Sequence, residues 1–201
     1  MLALTSAQQE AIAKGHVMWR VYVWCDAIDL DGVTPAPTGF WDDVGVVEVE
    51  VDGEPRTYFG SGTLVTVSSL SAVGDLSIPG FAVTLSGLPP EVAALVRGST
   101  VGQRPIEVHI GIFDVDTREL IGEVIPRFKG VVDNIEINTP EAGGTSTVVL
   151  TCESVSRALT IRRYDTRSDA SQHERDASDD FYKYTAVQRE SQPLFGRKAP
   201  R

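Results

Sequence analysis

The sequence has little of what usually announces chemistry. Its 201 residues include two cysteines, Cys25 and Cys152, and three histidines, His16, His109 and His173. None stands at a metal-ligand spacing from another, so no metal or other cofactor is expected. A disulfide needs an oxidising compartment, which nothing in the composition indicates. Both cysteines lie in apolar strand-like runs, and the expectation is buried, inert thiols. No apolar run approaches the ~20 residues of a membrane-spanning helix. The opening Met1-Leu2-Ala3-Leu4-Thr5 lacks a basic region and a long apolar stretch, so the expectation is a protein made in a cytoplasm and soluble there.

Lys and Arg are missing between Asp26 and Glu54, where nine acids fall. The net charge is −10. Residues 162–201 carry 9 Lys and Arg against 7 Asp and Glu, a net of +2, which leaves −12 on residues 1–161. Gripping a nucleic-acid backbone needs a basic surface, so specific nucleic-acid binding is not expected. Asp26-Ala27-Ile28-Asp29-Leu30-Asp31-Gly32 resembles a calcium loop only in part. With Gly32 in sixth place, Ala27 and Thr38 occupy the first and twelfth positions, which need acids. Gly60-Ser61-Gly62 lacks the following helix and Lys of a phosphate loop, and no Gly-x-Ser-x-Gly elbow exists. With no local catalytic signature, no enzyme activity is expected.

Strand patterns fill the rest. Thr5 to Glu10 offers a helix start, with Ser6 as N-cap and Gln9 closing a capping box, and Gly15 ends a short helix of about nine residues. Val17 to Cys25 is rich in β-branched and aromatic residues and reads as a long strand. Asp29 to Thr38 reads as an exposed loop. Val46-Val47-Glu48-Val49-Glu50-Val51 alternates apolar and acidic residues, with Asp52-Gly53 as a hairpin turn and Arg56 to Phe59 returning. Strands are also expected at Thr63–Ser68, Phe81–Ser86, Ile106–Phe113, Phe128–Ile137 and Thr145–Cys152. Leu120 to Val124 should fold back on Ile106–Phe113. Pro90 to Arg97 forms one helix, ended by Gly98 in the left-handed conformation. His109, on an alternating strand, should be a satisfied core or interface residue. Trp19 and Trp24, five apart in one strand, should face opposite sides.

The fold class expected is mainly β. It consists of one or two small barrels or a sandwich of antiparallel strands, with short helices and an extended C-terminal arm. The expected divisions are an N-terminal helical arm at 1–16, a β-barrel body at 17–161, with a boundary near 88–104 if it holds two barrels, and a charged arm at 162–201. The arm is poor in aliphatics and should order against the body or a neighbour.

Three segments carry a family likeness. The first is Gly80-Phe81-Ala82-Val83-Thr84-Leu85-Ser86-Gly87-Leu88, followed by a short helix and Val101-Gly102-Gln103-Arg104-Pro105-Ile106. The second is Ile110-Gly111-Ile112-Phe113-Asp114 with Phe128-Lys129-Gly130-Val131-Val132-Asp133. The third is Cys152-Glu153-Ser154 with Arg162-Arg163-Tyr164, Gln172, Asp179-Asp180-Phe181 and Tyr184. In this order they resemble the tail-hub proteins of long-tailed phages and prophages, over roughly residues 45–196.

That resemblance implies a virion protein of the tail tip, assembled in the bacterial host cytoplasm. It implies a ring-shaped homo-oligomer, a trimer by preference, joining the tail tube to the distal spike or fibre assembly and leaving a channel for DNA. The implied partners are a distal-tail ring protein, a tape-measure protein and a spike or fibre protein. A distal-tail or other small baseplate ring is the alternative station. The chain departs from larger hubs by stopping soon after Arg162-Arg163-Tyr164, so later hub domains are expected to be missing or on another protein. It also lacks the clustered cysteines with which some tail-tip proteins hold an iron–sulfur cluster. Arg162, Arg163, Tyr164, Phe181, Tyr182 and Tyr184 are the expected oligomer and partner contacts, and Glu48 and Glu50 the expected acidic lining of the lumen. A carbohydrate-binding sandwich that stacks sugars on Trp19, Trp24 and Trp41 is the competing reading.

Overall fold

The computed structural model describes residues 4–60, 62–69, 80–87, 89–142, 144–159, 166–185 and 187. The chain divides into two units, Met1–Leu159 and Thr160–Arg201. The first opens with helix α1 (Ser6–Lys14). Its strands are β1 (Val17–Cys25), β2 (Ile28–Asp29), β3 (Thr38–Trp41), β4 (Val46–Val51), β5 (Glu54–Phe59), β6 (Leu64–Val67) and β7 (Gly80–Ser86). Helix α2 (Pro90–Gly98) follows, then β8 (Ser99–Thr100), β9 (Pro105–Asp114), β10 (Ile125–Asn138) and β11 (Thr147–Ser154). Nine strands form one sheet in the order β4-β5-β3-β1-β9-β10-β11-β7-β6, and β2 pairs with β8 separately.

The fold is mainly β, as expected, but it is built on one mixed sheet. Among the described residues no barrel closes, because β4 and β6 remain its two ends. All neighbours in it are antiparallel except β3 and β5, which run parallel. Gly39 makes that pair possible: a Cβ there would lie 2.6 Å from the Thr57 carbonyl oxygen and 2.9 Å from the Trp24 ring.

Both faces of the sheet's middle are buried, which explains why β1 reads as a nearly continuous apolar run. On one face, Val23, Cys25, Phe40, Ile106, Val108, Val132, Leu150 and Cys152 join Val92 and Leu95 of α2 in a mainly aliphatic core. On the other, Tyr22, Trp41, Tyr58 and Phe113 pack with Val49, Val51 and Val124 in an aromatic one. The β4–β5 hairpin supplies one wall of this second core. Its two-residue turn has both central residues at positive φ, Asp52 at 53° and Gly53 at 83°, the twist that matches a right-handed ribbon.

Three local expectations need correction. The N-cap of α1 is Thr5, not Ser6, and the capping box closes on Gln8 rather than Gln9. The one-residue shift turns the Gln8 amide inward, where it donates to the carbonyls of Ile121 (2.9 Å) and Glu123 (2.7 Å). Gly98 is the last residue of α2, and Ser99 leaves the helix directly in extended conformation to start β8. Leu120 to Val124 forms no strand. A single bridge joins Leu120 to Phe113, and pairing with β9 resumes at Ile125.

In the second unit the described residues carry helix α3 (Asp169–Arg175), capped by Ser168, and turns that follow it.

Candidate functional site

The chemistry-bearing side chains of the first unit gather on the aromatic face, where β9, β10 and the β4–β5 hairpin meet. Glu107 and Lys129 are direct cross-strand partners in the β9–β10 register, and Lys129 Nζ lies 3.2 Å from Glu107 Oε1. From the hairpin, Arg56 Nη1 donates to Glu107 Oε2 at 2.7 Å, and Asp52 sits 3.3 Å from Lys129 Nζ. The Arg56 and Glu107 side chains are only 14 % and 18 % exposed, so water screens this pair less than a surface one. Burial alone would raise the Glu107 carboxyl, but hydrogen bonds from Arg56 and Lys129 outweigh it and hold the group below its ordinary range. The guanidinium of Arg56 also lies over Trp24, 5.1 Å from the ring centroid, a favourable cation–π contact.

His109 lies next on the same face, 1 % exposed, with Nε2 3.6 Å from Glu107 Oε2. It is buried as expected but not satisfied, for Nδ1 has no hydrogen-bond partner among the described residues. Burial pushes its pKa down; the Glu107 carboxylate opposes this, and Arg56 and Lys129 reinforce it. The Tyr22 hydroxyl is also buried without a partner among the described residues, and the buried Tyr58 hydroxyl lies near Arg56, which favours its ionised form. Burial raises both, Tyr58 to about 12 against the pull of Arg56. This face therefore holds buried polar atoms that the described residues leave unpaired.

Two recesses open beside the cluster. A slot of about 330 Å³ is lined by Glu50, Val51, Asp52 and Gly53 on the hairpin side. Thr5, Gln8 and residues Glu123 to Pro126 line it too, along with His109. A second recess of about 400 Å³ is lined by Trp24, Pro37, Pro55, Pro105 and the charged Asp26, Glu54, Arg56 and Glu107.

The expected contact residues are placed as follows. Arg162, Arg163 and Tyr164 lie outside the described residues. Phe181 and Tyr184 are 79 % and 70 % exposed, and Phe181 meets Tyr182 edge-on at 5.0 Å between centroids. Glu48 and Glu50 are exposed on the outer face of β4, while Val47, Val49 and Val51 turn into the aromatic core. The tryptophans form no stacking platform. Trp19 is 50 % exposed on one face of β1, Trp24 lies on the other against Tyr58 and Arg56, and Trp41 is buried with Nε1 donating to the Gly45 carbonyl. Cys25 and Cys152 are free and buried, and burial pushes both thiols up to about 12, far from thiolate reactivity. The Asp31 carboxylate accepts from Val33, Thr34 and the Thr34 hydroxyl, the bonds of a local turn. Among the described residues no cluster of three or more His, Cys, Asp or Glu is placed to hold a metal ion, and no helix is long and apolar enough to cross a membrane.

Sequence reasoning missed the Arg56–Glu107–Lys129 cluster. A signal existed in Ile106-Glu107-Val108-His109-Ile110, where two polar residues occupy one face of a strand flanked by buried neighbours.

No family model matches the chain, and no curated protein does. Among solved structures it is similar to a chain of the virion of a native gene transfer agent particle, at 18 % identity and a TM-score of 0.49. The match covers 82 % of this chain and 49 % of that one, so this chain spans about half that chain's length.

Proposed function

We propose that the chain is a non-catalytic structural component of a phage tail tip, a hub ring that joins the tail tube to the distal spike or fibre assembly. The observation that carries the reading is where the family-like segments fall. Gly80–Ser86 is β7, Ile110–Asp114 ends β9, Phe128–Asp133 lies in β10 and Cys152–Ser154 ends β11. Far apart in sequence, these are the four consecutive strands β9-β10-β11-β7 of the sheet. The resemblance therefore follows one continuous structural layer.

Ring assembly suits a sheet with open ends, because strand edges invite pairing with other chains. The homo-oligomer, a trimer by preference, and the distal-tail, tape-measure and spike or fibre partners belong to this proposal. So does the placing of the protein at the virion tail tip. Glu48 and Glu50, exposed on β4, are then available to face a channel, where carboxylates repel passing phosphates. Phe181, Tyr182 and Tyr184 offer aromatic anchors for a neighbour.

Mass spectrometry of purified tails tests the reading, with the chain expected among the tail proteins. Complete tails without it would refute the proposal. Calorimetry against cell-wall glycans and a cell-wall turbidity assay should both be silent.

A further inference from the structure

We infer that the free edge of β4, together with the slot beside it, is a docking site for an extended strand of a partner protein in which basic and apolar residues alternate. This inference stands on the hairpin and its surroundings and is independent of the tail-tip reading.

The edge itself comes first. Among the described residues β4 ends the sheet, pairing only with β5. In a two-residue hairpin the residues flanking the turn form a hydrogen-bonded pair, and pairs alternate from there. Val51 and Glu54 flank the turn, so Val51, Val49 and Val47 direct their backbone groups to β5. Val46, Glu48 and Glu50 direct theirs outward to the open edge. Pro55, opposite Glu50, fits this register, because its missing N–H falls where β5 needs no donor to β4.

What lies beyond the edge points to an occupant. The slot runs between Glu50–Gly53 and the segment Glu123–Pro126. That segment begins β10, whose residues 125–129 pair with β9 on one side, while pairing with β11 starts only at Gly130. The floor of the slot includes His109, 1 % exposed, whose Nδ1 has no partner among the described residues. A strand laid here would extend the sheet from β4 and narrow the opening toward β10, as β-augmentation does in peptide-binding domains.

Charge selects the partner. Among the described residues the slot's ionisable lining is Glu50, Asp52, Glu123 and His109, with Lys129 just outside it on Asp52. Side chains of an added strand that point outward would lie beside Glu50 and Glu123, both exposed, and those pointing inward would meet Val51 and Val124. Lys or Arg alternating with small apolar residues satisfies both faces. A second copy of β4 does not, since it would set Glu48 and Glu50 beside their equivalents, and like charges across strands are destabilising.

The test uses the full chain and a fluorescein-labelled, end-blocked hexapeptide, Lys-Val-Lys-Val-Lys-Val, followed by fluorescence anisotropy. Binding should be saturable. Glu50→Pro removes one outward backbone donor without touching the β5 ladder, and should weaken binding about tenfold, the worth of one backbone hydrogen bond. Near-ultraviolet circular dichroism of the tyrosine and tryptophan cluster checks that the variant folds. Should it fail to fold, the double variant Glu50→Lys with Glu123→Lys takes its place and should abolish binding. Amide exchange should slow at Glu48 and Glu50 on binding. Equal binding of hexalysine would overturn the inference, as would undiminished binding by the folded variants.

Discussion

The two faces of the central sheet are cores of opposite character. The α2 side is mainly aliphatic, with Phe40, Phe81, Phe128 and two neutral thiols and no charge in its buried cluster. The hairpin side is aromatic and surrounds an ion-paired Glu107, a buried His109 and the Tyr22 hydroxyl, which has no partner among the described residues. Dry apolar packing is non-directional and tolerant, and it stabilises in proportion to buried area. Buried polar groups are costly when unpaired and fix one arrangement when paired. The first face thus supplies stability, and the second holds the hairpin in register and leaves polar atoms waiting for partners.

The contrast can be broken most severely from the aliphatic side. Leu150→Ala, at a site 1 % exposed, should cost ~2–5 kcal/mol, read as a lower urea midpoint. Next comes Arg56→Met, which leaves Glu107 with Lys129 alone. It should cost about 1–3 kcal/mol, less than a fully buried pair would, and a double-mutant cycle with Glu107→Gln should show coupling. Tyr22→Phe should go the other way. It removes a buried hydroxyl without a partner among the described residues and should leave stability unchanged or raise it by up to ~1 kcal/mol.

The smallest effect expected is a pH dependence from His109. Its folded pKa is depressed, so below the ordinary histidine value of ~6.5 the unfolded chain binds more protons than the folded one. The contribution of the neutral ring is fully present above that value and is lost as pH falls through the unfolded pKa toward the folded one. Glu107 opposes this shift, while Arg56 and Lys129 add to it. Urea midpoints from pH 7.5 down to 5 should fall for the native chain, and His109→Leu should flatten that slope.

The strands were readable because their patterns are local. Val46 to Val51 alternates and ends at Asp52-Gly53, and the observed hairpin follows it residue for residue. The capping of α1 was misread by one position because Thr5, Ser6, Gln8 and Gln9 offer two equivalent boxes. Only the long-range bonds of Gln8 to Ile121 and Glu123 decide between them. The open sheet escaped the sequence for the same reason: alternation tells which residues face inward but not whether the last strand meets the first. The ionic cluster was hidden because Arg56, Glu107 and Lys129 are joined by register, which sequence spacing does not encode.

Whether this protein builds a tail tip is tested most directly by gold-labelled antibody against the chain, applied to purified phage-like particles and viewed by electron microscopy. Gold confined to the distal end of the tail is the predicted result. Gold on heads, gold spread along the tube, or complete particles that bind none would contradict it.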